Sequence, residues 1–380
     1  MGISSSGLPT EEIRALHRSI PGFAPTPLTS LRSLARRLGL KSILVKDESH
    51  RLHLKAFKVL GASYAIFRWI EQQEGLRLNR PLSVVDFYSG EPLLEPGAFT
   101  FCTATDGNHG RAVAWAANQL QQRSVIFVPE NTVAARQENI STEGAEVRVV
   151  EGDYDLAVRT CADEAASRGW QIISDTSWDN YTEIPEWVAQ GYHTLFAEID
   201  EQVEPGCEVD VTLIPGGVGT LAAAAAEHFR GLHSDRPVKL VSVEPTESDC
   251  LFASAESPTG QPTATSATQR TIMAGLNCGS PSPLAWKAIK PAYNAFVTID
   301  DSACREAMGR YARPKGEDRK IVSGESGAAT LAALIWLVEQ RDRGLDLGEL
   351  KLDSDTTVLL LNTEGDTDPE HYQAVIRPVD

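Results

Sequence analysis

The segment 51–66 contains two lysines, and the position of one of them could make it a nucleophile. It reads R-L-H-L-K-A-F-K-V-L-G-A-S-Y-A-I, with Lys55 and Lys58 three residues apart. The pattern predicts Lys58 in the first turn of a helix, where apolar neighbours such as Phe57 and the positive end of the helix dipole disfavour an ammonium. A lysine whose pKa is lowered in this way can form a Schiff base with a carbonyl compound. The alternative is an ordinary, solvated surface lysine.

A glycine-rich segment, 215–220, could bind a phosphate group. It reads P-G-G-V-G-T and lies between a strand-like run and an alanine-rich helix. Glycines at such a junction let backbone N–H groups converge on an anion, and the helix dipole adds to the attraction. The segment has neither the lysine of a Walker motif nor a G-x-G-x-x-G pattern, so a phosphate monoester fits better than a nucleotide. The alternative is a tight turn. The candidate ligands are Gly216, Gly217, Val218, Gly219 and Thr220.

Two acidic residues follow predicted strands and could act on a substrate. Asp106 lies in T-D-G-N-H-G at 105–110, and Asp175 directly follows the strand-like run 171–174. The carboxyl ends of the strands are where open α/β sheets hold ligands. Together with a Schiff-base lysine and a phosphate site, Asp106 and Asp175 are expected near the reacting carbon, and Asn108 at an aromatic hydroxyl. The simpler interpretations are a helix cap at Asp106 or Asn108, and a turn at Asp175.

Two further polar segments could complete a site. Asn362 and Thr363 follow the last strand-like run, and their neutral side chains could contact a pyridine nitrogen. Residues 323–327 read S-G-E-S-G and precede a helix. Taken alone, both segments are better explained as ordinary turns.

The composition describes an acidic globular protein. The 380 residues carry a net charge of −17, which argues against nucleic acid and anionic membrane surfaces as partners. No apolar run approaches the roughly 20 residues of a membrane span, and the Ser/Gly-rich start of the chain lacks the pattern of a signal peptide. The six cysteines form no C-x-x-C pair and the eight histidines show no ligand spacing, so we expect reduced thiols in the cytoplasm and no metal site.

The candidate residues lie at the ends of strands in an alternating pattern of strands and helices. This pattern predicts a parallel sheet covered by helices, and at this length an α/β protein of two domains. The predicted strands are 43–47, 99–104, 124–128, 146–150, 171–174, 209–214, 238–243 and 357–361. Outside them, 1–27 is expected to be a lead-in, Ser30 to cap the first helix, 72–97 to be a surface excursion and 252–270 to be a loop.

Motifs along nearly the whole chain resemble one family, the fold type II pyridoxal-phosphate enzymes, and within it the diaminopropionate ammonia-lyases. The combination of T-D-G-N-H-G with T-E-G-D-T-D is specific to this resemblance. The matching segments are P-T-P-L at 25–28, V-K-D-E-S at 45–49, A-F-K-x-L-G at 56–61, T-D-G-N-H-G-R at 105–111, D-T-x-W at 175–178, I-P-x-W at 184–187, V-E-P with D-C at 243–250, T-I-M-A-G-L-x-C-G at 271–279, S-G-E-S-G at 323–327 and T-E-G-D-T-D at 363–368.

The resemblance implies a fold and a domain organisation. The expected fold is α/β, with two domains of mostly parallel sheets covered by helices and the cofactor in the cleft between them. We expect a large cofactor-binding domain formed by 1–87 and 200–380 and a small domain formed by 88–199. The resemblance also implies a cytoplasmic homodimer that acts on a small amino acid.

The resemblance assigns roles to the candidate residues. Lys58, beside Phe57, is implied as the lysine that binds pyridoxal 5'-phosphate, 216–220 as the phosphate loop, and Asp106 and Asp175 as active-site acids. The implied reaction removes ammonia from 2,3-diaminopropionate and leaves pyruvate. Lys58 and Asp106 would take the Cα proton on opposite faces, which would permit both L and D substrates.

Three alternatives stay open at this point. They are a serine or threonine dehydratase of the same fold, a β-replacement synthase, and a non-catalytic cofactor-binding protein. The chain departs from the family pattern with Lys55 in place of Asn, Ala62 in place of Gly and Asn362 in place of Ser. Because Asn can donate as well as accept, Asn362 changes the expected contact with the pyridine nitrogen. Cys250 and Cys278 lie in matching segments, and we expect them to approach each other.

Overall fold

The computed structural model describes residues 10–78, 94–105, 107–152, 154–231 and 237–377. These residues form two compact units. The first unit comprises Pro25–Ala56 and 195–377, and the second unit comprises 10–24 and Phe57–Thr194. In the part of the chain that is described, no helix is long and apolar enough to span a membrane.

The secondary structure alternates between strands and helices for most of the chain. The strands are β1 (Leu28–Ser30), β2 (Ser42–Asp47), β3 (Thr100–Ala104), β4 (Arg123–Pro129), β5 (Glu146–Val150), β6 (Gln171–Ile172), β7 (Val211–Pro215), β8 (Lys239–Pro245), β9 (Ala295–Ile299) and β10 (Thr357–Asn362). The helices are α1 (Thr10–Ser19), α2 (Arg32–Leu38), α3 (Lys58–Leu78), α4 (Asn108–Gln119), α5 (Ala134–Thr142), α6 (Tyr154–Arg168), α7 (Glu183–Gly191), α8 (His193–Gln202), α9 (Thr220–Gly231), α10 (Cys250–Glu256), α11 (Pro283–Ile289), α12 (Asp301–Ala312), α13 (Glu325–Asp342) and α14 (Pro369–Ile376).

The first unit contains a six-stranded sheet with the strand order β1-β2-β10-β7-β8-β9. All neighbours pair in parallel except the edge strand β1, which is antiparallel to β2. All residues of β10 are buried, as expected for a central strand of a parallel sheet covered on both faces. The register places Asn362 opposite Asp47, so two polar side chains meet at the carboxyl end of the sheet.

Two helices of the first unit show how distant residues fix its local structure. α13 is buried along most of its length and packs against β10 and β7, which suits its apolar composition. α2 begins where the carboxylate of Asp318 accepts hydrogen bonds from the N–H groups of Ser33 and Leu34, at 2.7 and 2.8 Å. The predicted cap was wrong, because Ser30 lies in β1. α2 ends at Gly39, which has a left-handed φ of 67°.

The second unit contains a four-stranded parallel sheet with the order β5-β4-β3-β6. Its long helix α3 packs against α4 and α7. The approach of α3 to α7 requires glycine on both sides, since a Cβ added at Gly61 would lie 2.7 Å from the Val188 side chain and one added at Gly191 2.3 Å from the Leu60 carbonyl oxygen. This close contact fixes the first turn of α3, where Lys58 lies.

The predicted α/β class with mostly parallel sheets is confirmed, and each predicted strand is present, 146–150 with the predicted bounds and the others with shifted ends. The predicted loop at 252–270 was wrong at its start, because α10 continues to Glu256. The predicted excursion at 72–97 begins later than expected, since α3 extends to Leu78, and its residues 79–93 lie outside the described residues. α1 was not predicted at all.

The predicted domain boundaries, 87/88 and 199/200, differ from the limits of the two units. The units place Phe57–Thr194 together because α3 packs on α4 and α7, which follow it in the chain. The division into a large and a small domain stays a prediction.

Candidate active site

Lys58 is the first residue of α3 and forms a close ion pair in the second unit. Its Nζ donates to Oδ2 of Asp175 at 2.6 Å, and the two side chains are only 16% and 13% exposed. The amine also lies 5.2 Å from the centre of the Phe57 ring. The structure thus brings together the predicted Lys58, Asp175 and Phe57. The adjacent carboxylate favours the ammonium form of Lys58, an effect opposite to the desolvation and dipole effects expected from the sequence.

Asp175 is held in its ionised form by its neighbours. Burial alone would raise the pKa of Asp175, but the positive charge of Lys58 and the hydrogen bond from its amine bring that pKa well below its usual value. The Nδ1 atom of His109 lies 3.9 Å from Asp175, while its Nε2 atom is 2.8 Å from the carbonyl oxygen of Ile173. Because that carbonyl only accepts, Nε2 carries a proton. Burial lowers the pKa of His109, so the neutral ring presents Nδ1 as an acceptor.

His109 and Tyr192 belong to this cluster but were not predicted as site residues. His109 is part of the quoted T-D-G-N-H-G segment, so the sequence signal was present. Tyr192 is fully buried, and its ring packs 4.8 Å from the Phe57 ring. No motif marked Tyr192, because its place beside Lys58 depends on the contact between α3 and α7.

The segment that contains Asp106 and Asn108 is described except at Asp106, which lies outside the described residues. Asn108 is the first residue of α4. The N-cap of α4 is Gly107, and Oγ1 of Thr105 accepts hydrogen bonds from the N–H groups of Gly107 and Gly110 at 3.1 and 3.2 Å. A capping role for Asn108 is therefore wrong, and its role as a cofactor ligand stays a prediction.

The glycine segment of the first unit has the geometry of an anion site. It connects the end of β7 to Thr220, the first residue of α9. Gly217 and Gly219 have left-handed φ values of 58° and 97°, which glycine adopts without strain. Among the described residues, no hydrogen-bond acceptor is seen for the N–H groups of Gly217 and Val218. Two N–H groups at the start of a helix fit a phosphate group.

Three side chains pack behind this loop. A Cβ added at Gly216 would lie 2.7 Å from Cγ of Glu244, so only glycine fits there. The thiol of Cys250 lies 3.5 Å from the carbonyl oxygen of Gly217, and the Cys278 sulfur would lie 3.6 Å from a Cβ at Gly217. The two cysteines share Gly217 as a neighbour, as expected if they approach each other.

Asn362 acts as a buried cross-link in the first unit. Its Nδ2 donates to Oδ1 of Asp47 at 2.7 Å and to the carbonyl oxygen of Val322 at 3.0 Å. Because both partners accept, the orientation of the amide is fixed. Its Oδ1 is buried without a hydrogen bond and lies against Gly327, while Thr363 is 4% exposed. The contacts of Asn362 and Thr363 with the cofactor ring stay predictions.

Lys55, the second lysine of the segment, is engaged elsewhere in the first unit. Its Nζ lies 2.7 Å from Oδ1 of Asp366, and its carbonyl oxygen accepts from the N–H of Gly365 at 2.8 Å. Its φ of 55° lies in the left-handed region, where Asn is found more often than Lys. Asn would therefore suit this backbone better than Lys55, whose side chain is held by its ion pair with Asp366.

A network of four buried charges lies in the first unit and includes Arg51, four residues before Lys55. Lys46, Glu48 and Arg51 are 0% exposed and Glu198 is 2% exposed. Glu198 accepts from Lys46 at 2.7 Å and from Arg51 at 2.8 Å, and Arg51 also pairs with Glu48 at 2.9 Å. Thr26 donates its hydroxyl to Glu48 at 2.6 Å. The two positive and two negative charges balance, which makes their burial tolerable.

Each unit, taken by itself, has residues that fit one part of pyridoxal 5'-phosphate. The second unit supplies a lysine with an anionic partner, and the first unit supplies a glycine loop with N–H groups for a phosphate. In the described part of the chain, no cluster of three His, Cys, Asp or Glu side chains could hold a metal ion.

Comparisons with known proteins agree with this chemistry. The sequence profile of the family described as pyridoxal-phosphate dependent enzyme matches residues 20–362. The diaminopropionate ammonia-lyase of Escherichia coli (strain K12) is 39% identical over 366 residues, which are 96% of this chain and 90% of that protein. The biosynthetic L-threonine dehydratase of Salmonella typhimurium is 25% identical over 83% of this chain and 53% of that protein.

Solved structures give the same result for the fold. The crystal structure of diaminopropionate ammonia-lyase from Escherichia coli in complex with D-serine superposes with a TM-score of 0.88 and 36% identity, covering 98% of this chain and 92% of that chain. A second crystal structure of that enzyme, in complex with an aminoacrylate-PLP azomethine reaction intermediate, has a TM-score of 0.88 and 37% identity, covering 99% and 94%. Maize serine racemase, with a TM-score of 0.74 and 22% identity over 96% of each chain, shares the fold.

Proposed function

Because the chain belongs to the family of pyridoxal-phosphate-dependent enzymes, we propose that it is a diaminopropionate ammonia-lyase. The reaction converts one 2,3-diaminopropionate and one water into one pyruvate and two ammonia molecules. The observation that carries the proposal is the 39% identity to the Escherichia coli enzyme over 96% of this chain. The Lys58–Asp175 ion pair supports it, because the reaction requires an amine that takes up a proton.

The cofactor of the family is pyridoxal 5'-phosphate, and when bound it withdraws electrons from the amino acid and so acidifies the Cα proton. Lys58 would hold it through its amine. The other residues that would hold it are Phe57, Asn108, Gly216, Gly217, Val218, Gly219, Thr220, Asn362 and Thr363.

The residues of the chain move the proton in this proposal. Lys58, once the substrate amine has displaced it, takes the Cα proton that lies on one face. Asp106 takes the Cα proton of the isomer in which it lies on the opposite face. The electron pair left by the proton forms a Cα–Cβ double bond while the Cβ–N bond breaks, and the β-amine leaves as ammonia. Asp175, at 2.6 Å from Lys58, stabilises the ammonium that Lys58 becomes. Addition of water then gives pyruvate and the second ammonia.

Product analysis on a panel of amino acids tests the proposal. The purified enzyme should release pyruvate and ammonia from diaminopropionate in a ratio of one to two, and faster than from serine or threonine. The same panel with added thiols or amines separates elimination from β-replacement. Faster turnover of serine or threonine would point to a dehydratase, and incorporation of the added nucleophile to a synthase.

The attachment of the cofactor can be tested separately. Borohydride reduction of the yellow enzyme should fix the cofactor on Lys58, and Lys58→Ala should lose the visible absorbance while keeping its circular dichroism spectrum. Peptide mapping distinguishes Lys58 from Lys55, whose amine is paired with Asp366. A label on Lys55 would overturn the assignment.

We also propose that the enzyme is a cytoplasmic homodimer. The family resemblance and the scattered cysteines support this proposal. Light scattering of the purified protein tests the dimer, and a mass of a single 41.3 kDa chain would contradict it.

A further inference from the structure

Tyr192 is a buried tyrosine in the second unit whose ring is fixed by two helices. It directly follows α7 and is 0% exposed. Its ring packs against Phe57 at 4.8 Å between centroids and lies against Gly61 of α3, where an added Cβ would be 2.7 Å from its Cε1 atom. Because Gly61 is one helical turn after Lys58, the position of the ring is set relative to the amine.

The hydroxyl of Tyr192 is placed beside the Lys58 amine. The amine is near enough to lower the pKa of Tyr192, although burial raises that pKa by more. The hydroxyl makes no hydrogen bond of good geometry with any of the described residues. Burial raises the pKa of Tyr192 well above its usual value, so the hydroxyl stays protonated and neutral near pH 7. A buried hydroxyl without a full hydrogen bond needs an explanation beyond folding.

The proposed reaction requires a neutral hydrogen-bond acceptor near the Lys58 amine. In the structure its Nζ donates to Asp175 at 2.6 Å, and a carboxylate stabilises the ammonium form. An amine that takes a proton from the substrate must first be neutral. A tyrosine hydroxyl can accept an N–H without carrying a charge, so it holds a neutral amine without stabilising the ammonium as strongly as Asp175 does.

We propose that Tyr192 is a positioning residue for Lys58. Its hydroxyl oxygen accepts a hydrogen bond from the amine when Lys58 leaves Asp175, and this keeps the amine within reach of the substrate. The proposal rests on the proposed function, since amine chemistry at Lys58 is what requires a held, neutral amine.

Tyr192→Phe keeps the ring packing and removes the acceptor. The ammonium of Lys58 would then lose the dipole of a nearby hydroxyl in a buried site, so the pH at which half of the amine is deprotonated should fall by about 0.5–1 unit. For the loaded enzyme, kcat should fall about 3–10-fold while KM changes little, because the interaction orients the base and does not bind the substrate.

The decisive measurement is trace labelling of the cofactor-free full-length chain with acetic anhydride as a function of pH. Mass spectrometry of the labelled peptides gives the midpoint for Lys58, and Lys55 in the same segment serves as the internal reference. The matched control is Tyr64→Phe, which removes another buried phenol hydroxyl of the second unit, one that accepts from Arg68 at 3.3 Å. If Tyr192→Phe does not fold, Tyr192→Met fills the space without a hydroxyl.

A lower midpoint in Tyr192→Phe with an unchanged midpoint in Tyr64→Phe supports the positioning role. An unchanged midpoint in both variants overturns it and reduces Tyr192 to packing. If the wild type does not turn over diaminopropionate while the midpoint still shifts, the proposed function fails and the contact between Tyr192 and Lys58 stands.

Discussion

Glu244 is a buried acid whose two oxygens accept hydrogen bonds from the N–H groups of Leu251 and Phe252, both at 2.8 Å. It lies directly behind Gly216 of the glycine loop. Burial raises the pKa of Glu244 to about 8, with a further contribution from Asp249. The folded chain therefore keeps a proton on Glu244 over a range of pH in which the unfolded chain has lost it.

This difference predicts a pH dependence of stability. Between the ordinary value of 4.5 and about 8 the folded state binds more protons, so the free energy of unfolding falls as the pH rises. In Glu244→Gln this contribution is absent, and the stability of the variant relative to the wild type should improve by about 1–3 kcal/mol from pH 5 to pH 8. Urea unfolding at several pH values measures it. A constant difference across the range, as expected for the exposed control Glu256→Gln, would contradict the prediction.

A second residue-scale prediction concerns the stereochemistry assigned to Asp106. Asp106→Asn keeps the shape of the side chain but removes the base, so turnover of D-diaminopropionate should fall by about 10²–10⁴ while much of the L-isomer activity remains. A coupled pyruvate assay on both isomers measures the two rates. Equal loss on both isomers would mean that Asp106 binds the β-amine or shapes the cofactor site. No loss on either isomer would leave Asp106 without a role in proton transfer.

At the scale of elements, the geometry of the glycine loop 215–220 predicts how a substitution changes the affinity for the cofactor. Gly217→Ala would place a side chain at a φ of 58°, 3.4 Å from the carbonyl oxygen of Gly275. The backbone N–H groups would have to turn, and we expect the affinity for pyridoxal 5'-phosphate to fall by about tenfold or more. Absorbance titration of the cofactor-free chain measures the affinity.

The matched control for this variant is Gly344→Ala. Gly344 also has a left-handed φ, 88°, but has no atom within 4 Å of an added Cβ. It should lose stability to backbone strain without losing affinity for the cofactor. Equal affinity in the two variants would show that the loop does not hold the phosphate.

The sequence predicted elements that depend on local pattern and missed contacts that depend on distant residues. The strands and the glycine loop follow from runs of neighbouring residues. The cap of α2 could not be predicted, because Asp318 is 285 residues away from Ser33. Tyr192 was missed for the same reason, since its neighbour Gly61 belongs to a helix far from it in the chain. Lys58 and Asp175 were found because each lies in a motif of its own.

At the scale of the whole molecule, the buried ion network lies close in sequence to each described point at which the chain passes from one unit to the other. Among the described residues, the chain passes between them after Ala24, Ala56 and Thr194. Thr26, Arg51 and Glu198 each lie within five residues of one of these positions. The network therefore ties the three connecting segments together within the first unit.

Glu198→Gln should destabilise the first unit strongly. The change leaves Lys46 and Arg51 with one carboxylate, and an uncompensated buried charge costs about 3–5 kcal/mol. Because burial would raise the pKa of Glu198 but Arg51 and Lys46 lower it below its usual value, the native contribution should also be lost as the pH falls through that lowered pKa. Urea unfolding measures both effects.

The control is Glu306→Gln, which breaks an exposed pair with Arg310 and should cost about 0–1 kcal/mol. A similarly small cost in Glu198→Gln would contradict the prediction.

The same network has a consequence for the order in which the protein can fold during synthesis. Lys46 and Arg51 leave the ribosome about 150 residues before Glu198, their main counter-charge. The strand β2 is completed later still, because Asn362 of the neighbouring strand β10 follows Asp47 by 315 residues. The second unit, by contrast, is complete once Thr194 has been made. Nascent chains usually fold from the N-terminal domain onward. Here we expect the middle of the chain to fold first, while the segment that leads to Lys58 remains unfolded until the last strand arrives.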